Sequence, residues 1–233
     1  MTEPIYVIPD IHGYRSELDR ALARIDAQAG RDAKVVFLGD YSDRGPDSRG
    51  VLQTLIDGIA EGRNWTALRG NHDQLFLDAL EGRMEPRRFQ WWMQGNLGGR
   101  ETLASYGVDT PAYGGDWREQ VPGLHRQFLS TLPYTHETDD LFLCHAGISP
   151  GTPLERQVPE DLMWIREPFL YDTRDHGKLV VHGHTPVNAP EHHGNRVALD
   201  CGTGWGRPLQ LAVFEGRDAW ILDEDGPVPL VPY

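Results

Sequence analysis

Residues 7–16, VIPDIHGYRS, decide how the rest of the chain is read: an apolar run stops at Asp10 and His12, one residue apart, with Gly13 behind them. Side chains two positions apart on an extended chain point the same way, so a carboxylate and an imidazole converge at a strand's C-terminal edge. That is the geometry of a chelate, provided other strands deliver partners to the same place.

Four other apolar runs end in the same manner. GDYSDRG (39–45) follows KVVFL (34–38), GNHD (70–73) follows WTAL (65–68), CHAG (144–147) closes LFLC (141–144), and HGHTP (182–186) closes LVVH (179–182). One such cluster says little, because an Asp before Gly usually serves a turn or a helix cap, and a His such as His145 in an apolar run is usually a core residue bonded to a carbonyl. Five in succession are different, since buried carboxylates and imidazoles without a cation carry a heavy desolvation cost. In α/β sheets the carboxyl ends of parallel strands form the ligand crevice, so the five clusters are expected to meet there.

The connecting segments support an α/β fold class. Leu18, Ala21, Leu22 and Ile25 recur at helical spacing within residues 16–28, between strands expected at 4–9 and 34–38, which makes a βαβ unit with parallel strands. Further helices are expected at 51–60 and 73–81. Residues 83–130, including FQWWMQGNLGGRETLASYG, read as a helical, cap-like insertion over one edge of the strand ends, with Trp91, Trp92 and Met93 packed in the cap rather than forming a specificity lid. The tail reads as short strands at 196–199, 209–214 and 219–222, added antiparallel. No repeat or shift in composition marks a second domain, so residues 1–233 are expected to form one.

With 39% hydrophobic and 24% charged residues the chain has the composition of a folded globule, and the expectation is a cytoplasmic, monomeric protein with no membrane span. Its formal charge of −13 opposes a polyanion and excludes a general nucleic-acid binder, while favouring basic partners. Cys144 and Cys201 lack the paired spacing of a disulfide framework or zinc ribbon and read as buried thiols. Asp, Asn and His without thiolates suit manganese first, with iron, zinc or nickel as alternatives. Six candidate ligands exceed one tetrahedral site. Two ions about 3.5–4 Å apart sharing a carboxylate would use them all, polarising phosphoryl oxygens and generating hydroxide at neutral pH.

Taken together, the motifs resemble the calcineurin-like metallophosphoesterases, specifically the bacterial and phage serine/threonine protein phosphatases, whose D-x-H-G, G-D-x-x-D-R-G, G-N-H-D/E, distant His and G-H-T-P elements all occur here in order. The resemblance runs from residue 5 to about residue 214. It implies a four-layer αββα sandwich of two mixed β-sheets flanked by helices, with a dinuclear site on the loops between. It also implies that Asp10 and His12 hold one metal ion, that Asp40 bridges, and that Asn71, His145 and His184 hold the second. Asp43 would orient His72 as the acid that protonates the leaving oxygen, and Arg44 would clamp phosphate by paired N–H bonds. In LMWIREPF (162–169) the resemblance makes Arg166 a second phosphate-binding arginine, against a reading as an ordinary surface charge. His182 reads as a core histidine or one that orients a ligand. Pro9 departs from the glycine usual before the first Asp. Trp205, in LDCGTGWGRPLQL, is expected to be packed rather than to touch substrate.

The activity these residues imply is hydrolysis of a phosphomonoester by in-line attack of a metal-bridging hydroxide, without a covalent enzyme intermediate. Phosphoserine or phosphothreonine in a protein is the leading substrate, with phosphotyrosine a further one. The alternatives are a symmetrical dinucleoside tetraphosphate hydrolase or other small-molecule phosphatase, and, in a different class, a non-catalytic phosphate-binding module. The resemblance separates the first two at Asp43, an aspartate the symmetrical tetraphosphatases tend to lack.

Overall fold

The computed structural model describes residues 3–109 and 111–233; residues 1, 2 and 110, the last of them inside the expected insertion, lie outside the described residues. The first half alternates as the apolar spacing predicts: β1 (Ile5–Ile8), α1 (Arg15–Ala29), β2 (Lys34–Phe37), α2 (Ser48–Ala60), β3 (Trp65–Ala67) and α3 (Asn71–Leu80). The three strands are parallel, with Val7 opposite Val36 and Val36 opposite Thr66. Helix α2 starts three residues before its expected boundary because the Asp47 carboxylate accepts from the Gly50 amide at 2.8 Å and caps the first turn.

Helices α4 (Pro86–Met93), α5 (Gly99–Ser105) and α6 (Gly123–Thr131) follow, and then β4 (Thr135–Glu137), β5 (Leu141–Cys144), α7 (Pro159–Trp164), β6 (Leu179–His182), β7 (Glu191–His192), β8 (Arg196–Ala198), β9 (Ala212–Glu215), β10 (Asp218–Asp223) and β11 (Gly226–Pro229). The strands form two mixed sheets, ordered β11-β10-β9-β1-β2-β3 and β4-β5-β6-β8-β7. Alternation along each strand assigns its faces. Ile5 and Val7 join Val36, Leu38, Leu141 and Val181 in the core between the sheets, whereas Tyr6 and Ile8 face the helices with Leu18, Ile25 and Leu55. Phe142 and Val180 pack outward against Leu162 of α7 and Phe169. The layers are therefore helix, sheet, sheet, helix. A strand covered on both faces reads as an unbroken apolar run, which is why these strands stood out in the sequence.

The tail differs from its expected form. Strand β8 pairs parallel with β6, Val181 opposite Val197, because the connection through residues 183–195 carries the chain back to the same end of the sheet. Only β9 to β11 are antiparallel additions, and β9 begins at Ala212 rather than 209. The short strands β4, β7 and β11 carry too few apolar residues to announce themselves. In the insertion, Phe89, Trp92, Leu103, Tyr106 and Leu129 bury into the same core as α1 to α3. No described helix is long and apolar enough to cross a membrane.

Candidate active site

Five strand ends, those of β1, β2, β3, β5 and β6, run into loops laced to one another. The Ile11 and His12 amides donate to the Asp40 carbonyl at 3.1 and 2.8 Å, the Gly13 amide to Tyr41 at 2.8 Å, and the Gly45 amide to the His12 carbonyl at 2.8 Å. Asp73, at the start of α3, accepts from the backbone N–H of Asp40 (2.8 Å), Tyr41 (3.0 Å) and Gly70 (3.1 Å), tying the β2 and β3 loops together. A Cβ at Gly70 would overlap the Asp40 carboxylate, so glycine is required at that crossing.

The backbone is strained where the loops converge. Among the described residues, five that are not glycine have left-handed φ: His12 (48°), Asp40 (56°), Asp43 (74°), Arg44 (68°) and His184 (63°). Each such residue costs roughly 1–3 kcal/mol and persists only where its surroundings over-determine it. All five are residues singled out from the sequence.

The six expected ligands, Asp10, His12, Asp40, Asn71, His145 and His184, are all buried. His12 Nδ1–H donates to the Ser42 carbonyl at 2.9 Å, which leaves Nε2 facing inward, 3.5 Å from Asp40 Oδ2 and 3.9 Å from Asp10 Oδ2. His145 Nδ1–H donates to the Leu38 carbonyl at 3.0 Å, so its Nε2 stands 2.8 Å from Asn71 Oδ1 and 3.4 Å from Asp40 Oδ1. His184 Nδ1 lies 3.0 Å from the same Asn71 oxygen. Ligand atoms of Asp40, His145 and His184 fall within 4.8 Å of one another, as do those of His12, Asp40 and His72. Lone pairs crowded so closely are satisfied by protons or by cations, and a mixed oxygen and imidazole set fits divalent ions.

The charges agree. Burial pushes the Asp10 carboxyl well above its usual range and the neighbouring Asp200 carboxylate adds to it. Burial alone would raise Asp40 too, but His145, His72 and His12 hold it well below the usual range. Burial opposes a charge on His145, yet the carboxylates of Asp40, Asp10 and Asp73 push its imidazole up to about 9. His184 is driven well below its usual value by burial and by His145. Without a cation, His145 therefore offsets the carboxylates only in part.

Beside this cluster His72 Nδ1–H donates to Asp43 Oδ2 at 2.7 Å. Asp43 is fully buried, and its carboxylate also accepts from Trp92 Nε1–H (2.8 Å, Oδ2) and from the Thr102 hydroxyl (2.6 Å, Oδ1). Arg44 donates through Nη2 to His72 Nε2 at 3.1 Å, through Nη1 to His12 Nε2, and through Nε to the Asn96 carbonyl at 3.1 Å. Its guanidinium lies 4.8 Å above the Trp205 ring. A cavity of about 320 Å³ opens here; Arg44, His72, Asn71 and Asp40 form its floor, and Trp91, Trp164 and Arg166 its walls. The structure thus brings together all ten residues expected to act, Arg166 from an exposed position at the rim.

Other expectations change. Trp205 is 52% exposed beneath Arg44 rather than packed, and the tryptophan pair of α4 divides, with Trp91 on the cavity wall and Trp92 wholly buried. His182 is a core histidine, its Nδ1–H donating to the Gly183 carbonyl at 3.1 Å and its ring packed on Phe169. Cys144 and Cys201 are buried, and burial pushes both thiols up, Cys201 to about 12. Sequence reasoning assigned no role to Asp73, only packing to Trp92, and none to Thr102. The available signal for the last two was the glycine pair Gly98–Gly99, where a Cβ would overlap the Arg44 backbone and the Trp92 indole respectively.

A family model for calcineurin-like phosphoesterases matches residues 3–220. Serine/threonine-protein phosphatase 1 of Salmonella typhimurium is 28% identical over 228 residues, which cover 89% of this chain and 90% of that protein. A symmetrical bis(5'-nucleosyl)-tetraphosphatase of Delftia acidovorans is 34% identical over 146 residues, 63% of this chain and 45% of that protein, so the match spans less than half of that relative. In fold, the chain superposes on the cold-active protein-tyrosine phosphatase of a Shewanella species with a TM-score of 0.66 at 16% identity, over 99% of this chain and 81% of that one.

Proposed function

This chain belongs to the calcineurin-like phosphoesterase family, metal-dependent hydrolases of phosphoric esters, and from that premise we propose that it is a serine/threonine protein phosphatase. The family uses a dinuclear divalent metal centre, and the donor set fits one: Asp10, His12 and Asp40 would hold one ion, and Asp40, Asn71, His145 and His184 the other, with manganese the preferred occupant of this mixed set of oxygen and imidazole donors. When bound, the ions supply Lewis-acid polarisation of the phosphoryl oxygens. The protein's own groups do the rest. Arg44 and Arg166 face the same cavity and clamp non-bridging oxygens, for which the planar guanidinium fork is suited. His72 Nε2, which accepts from Arg44 in the free site, would deliver the proton to the leaving oxygen once phosphate takes the guanidinium, and Asp43 fixes the ring through its Nδ1–H.

The observation that carries the reading is the 2.7 Å bond from His72 to the wholly buried Asp43, with His72 Nε2 turned toward the cavity beside Arg44. A seryl or threonyl alkoxide is a poor leaving group and needs a positioned acid, whereas a nucleotide departing from a polyphosphate is already a stable anion. The dyad therefore favours an alkyl ester. The Delftia relative supports the second reading, a dinucleoside tetraphosphatase. The net charge of −13 favours basic segments as protein substrates.

Side-by-side kinetics on a phosphoserine peptide and diadenosine tetraphosphate with manganese test the assignment. The phosphopeptide is expected to lead in kcat/KM by at least about tenfold, and the reverse order overturns it. His72→Asn should lower turnover of the phosphopeptide by about 10²–10⁴.

A further inference from the structure

We propose that the insertion over residues 83–130 belongs to the acid–base machinery, with Trp92 and Thr102 as positioning residues that hold Asp43, and through it His72, in the orientation that protonates an alkoxide leaving group. The inference rests on the phosphatase reading above and adds to it that the orientation of the general acid is set from α4 and α5, outside the signature loops.

Asp43 takes its partners from two sides of the chain. His72 and Trp92 share Oδ2 at 2.7 and 2.8 Å, and the Thr102 hydroxyl takes Oδ1 at 2.6 Å. Three donors and no acceptor surround the group, the arrangement a buried carboxylate needs. Thr102 acts twice, because its oxygen also accepts from the Asp43 amide at 2.7 Å, with Ser48 Oγ 3.1 Å from the same amide. One hydroxyl thereby pins both the left-handed backbone of Asp43, φ 74°, and its side chain.

Trp92 is held as firmly. It is fully buried, stacked on Phe76 at 6.0 Å and set edgewise to Phe89 at 5.9 Å, so the indole cannot swing away from Asp43. The glycine pair lets the insertion come this close: Gly98, at φ +90°, sits against the Arg44 backbone, and Gly99 lets α5 start on the indole face. A tryptophan serving only as packing would leave its N–H wherever the core allowed. Here the N–H reaches the one carboxylate that orients the proposed acid.

The chemistry dictates the test. An alkyl phosphate needs the proton and p-nitrophenyl phosphate, whose leaving group is a stabilised phenolate, hardly does. With manganese-loaded protein, Trp92→Phe and Thr102→Val are each expected to lower kcat on a phosphoserine peptide by about 10- to 100-fold with KM little changed, while p-nitrophenyl phosphate turnover falls by less than about threefold. Thr102→Ser restores the hydroxyl and should recover the phosphopeptide rate. In metal-free protein labelled with ¹⁵N-histidine and ¹⁵N-tryptophan, Trp92→Phe should move the His72 Nδ1–H resonance and Asp43→Asn the Trp92 indole resonance.

Equal losses on both esters, or unmoved resonances, overturn the positioning role and reduce Trp92 and Thr102 to packing. His72→Asn separates the two levels. If it discriminates between the esters while Trp92→Phe and Thr102→Val do not, the positioning role falls and the phosphatase reading stands. If His72→Asn itself fails to discriminate, the general-acid reading falls and the positioning role with it.

Discussion

Asp10→Asn should make the metal-free protein more stable and at the same time weaken its response to metal. The Asp10 carboxylate is 1% exposed, and its hydrogen-bond partner is the His184 amide, 3.1 and 3.2 Å from its two oxygens. Burial, then Asp200, pushes its pKa well above the ordinary carboxylate range, and His145 offsets this only in part. A raised folded-state pKa means that the fold holds the proton more tightly than the unfolded chain does. Above the unfolded value the ionised group therefore opposes folding, and at pH 7 that penalty is present.

Asparagine keeps an oxygen for the His184 amide, removes the charge, and offers its N–H₂ to the neighbouring carboxylates. Relief of this kind is worth about 0.5–2 kcal/mol, or roughly 1–8 °C in Tm for a chain of this size. Manganese at 100 times its Kd should stabilise the wild-type protein by about 2.7 kcal/mol, roughly 5–11 °C, because the ions bind the folded state alone. The assay is differential scanning fluorimetry of chelator-stripped protein, with and without manganese. The variant should melt higher than wild type in chelator and gain less than wild type on metal addition. A variant that melts lower without metal, or gains as much with it, refutes the claim that these side chains carry an unbalanced charge awaiting a cation.

Two further outcomes follow from the geometry. Arg44→Lys keeps the charge but loses the planar fork that reaches Asn96, His12 and His72 over Trp205, so kcat/KM on p-nitrophenyl phosphate should fall on the order of tenfold to a hundredfold; retention of more than half the activity removes Arg44 from the clamp. His125 accepts from the Tyr106 hydroxyl at 2.7 Å and donates to Gln53 at 2.9 Å, and burial lowers its pKa to about 4. The unfolded chain takes up a proton first as pH falls, so this contribution is complete above about 6.5 and is lost toward 4. The urea midpoint should drop between pH 7 and pH 5, and His125→Gln should flatten that dependence.

The signature loops were legible because each interrupts an apolar run: Ile5–Ile8 is covered on both faces, so the change at Asp10 is abrupt and local. The parallel pairing of β8 was not, since Arg196, Val197 and Ala198 are compatible with either direction and the connection decides. Trp205 was misjudged because Gly202 and Gly206, both left-handed, bracket the single turn that places it beneath Arg44. Trp92 was read correctly as core in its ring and missed in its N–H, whose acceptor is 49 residues away; no periodicity encodes which carboxylate a buried indole will meet.

The strained backbone joins these observations. His12, Asp40, Asp43, Arg44 and His184 all take left-handed φ, and three of them are expected metal ligands in a pocket already crowded with carboxylates. Strain and like charge both oppose the metal-free fold at the same few residues. Bound cations would offset the charge, so in this chain metal binding and folding stability are linked. Asp43 and Arg44 share the strain without reaching a metal, and what over-determines them comes from elsewhere: Thr102 and Ser48 on the Asp43 amide, and the Gly98 carbonyl 3.4 Å from the Arg44 amide. The metal half of the site would thus be balanced by ions and the acid–base half by the insertion, which is why the two are expected to fail separately under mutation.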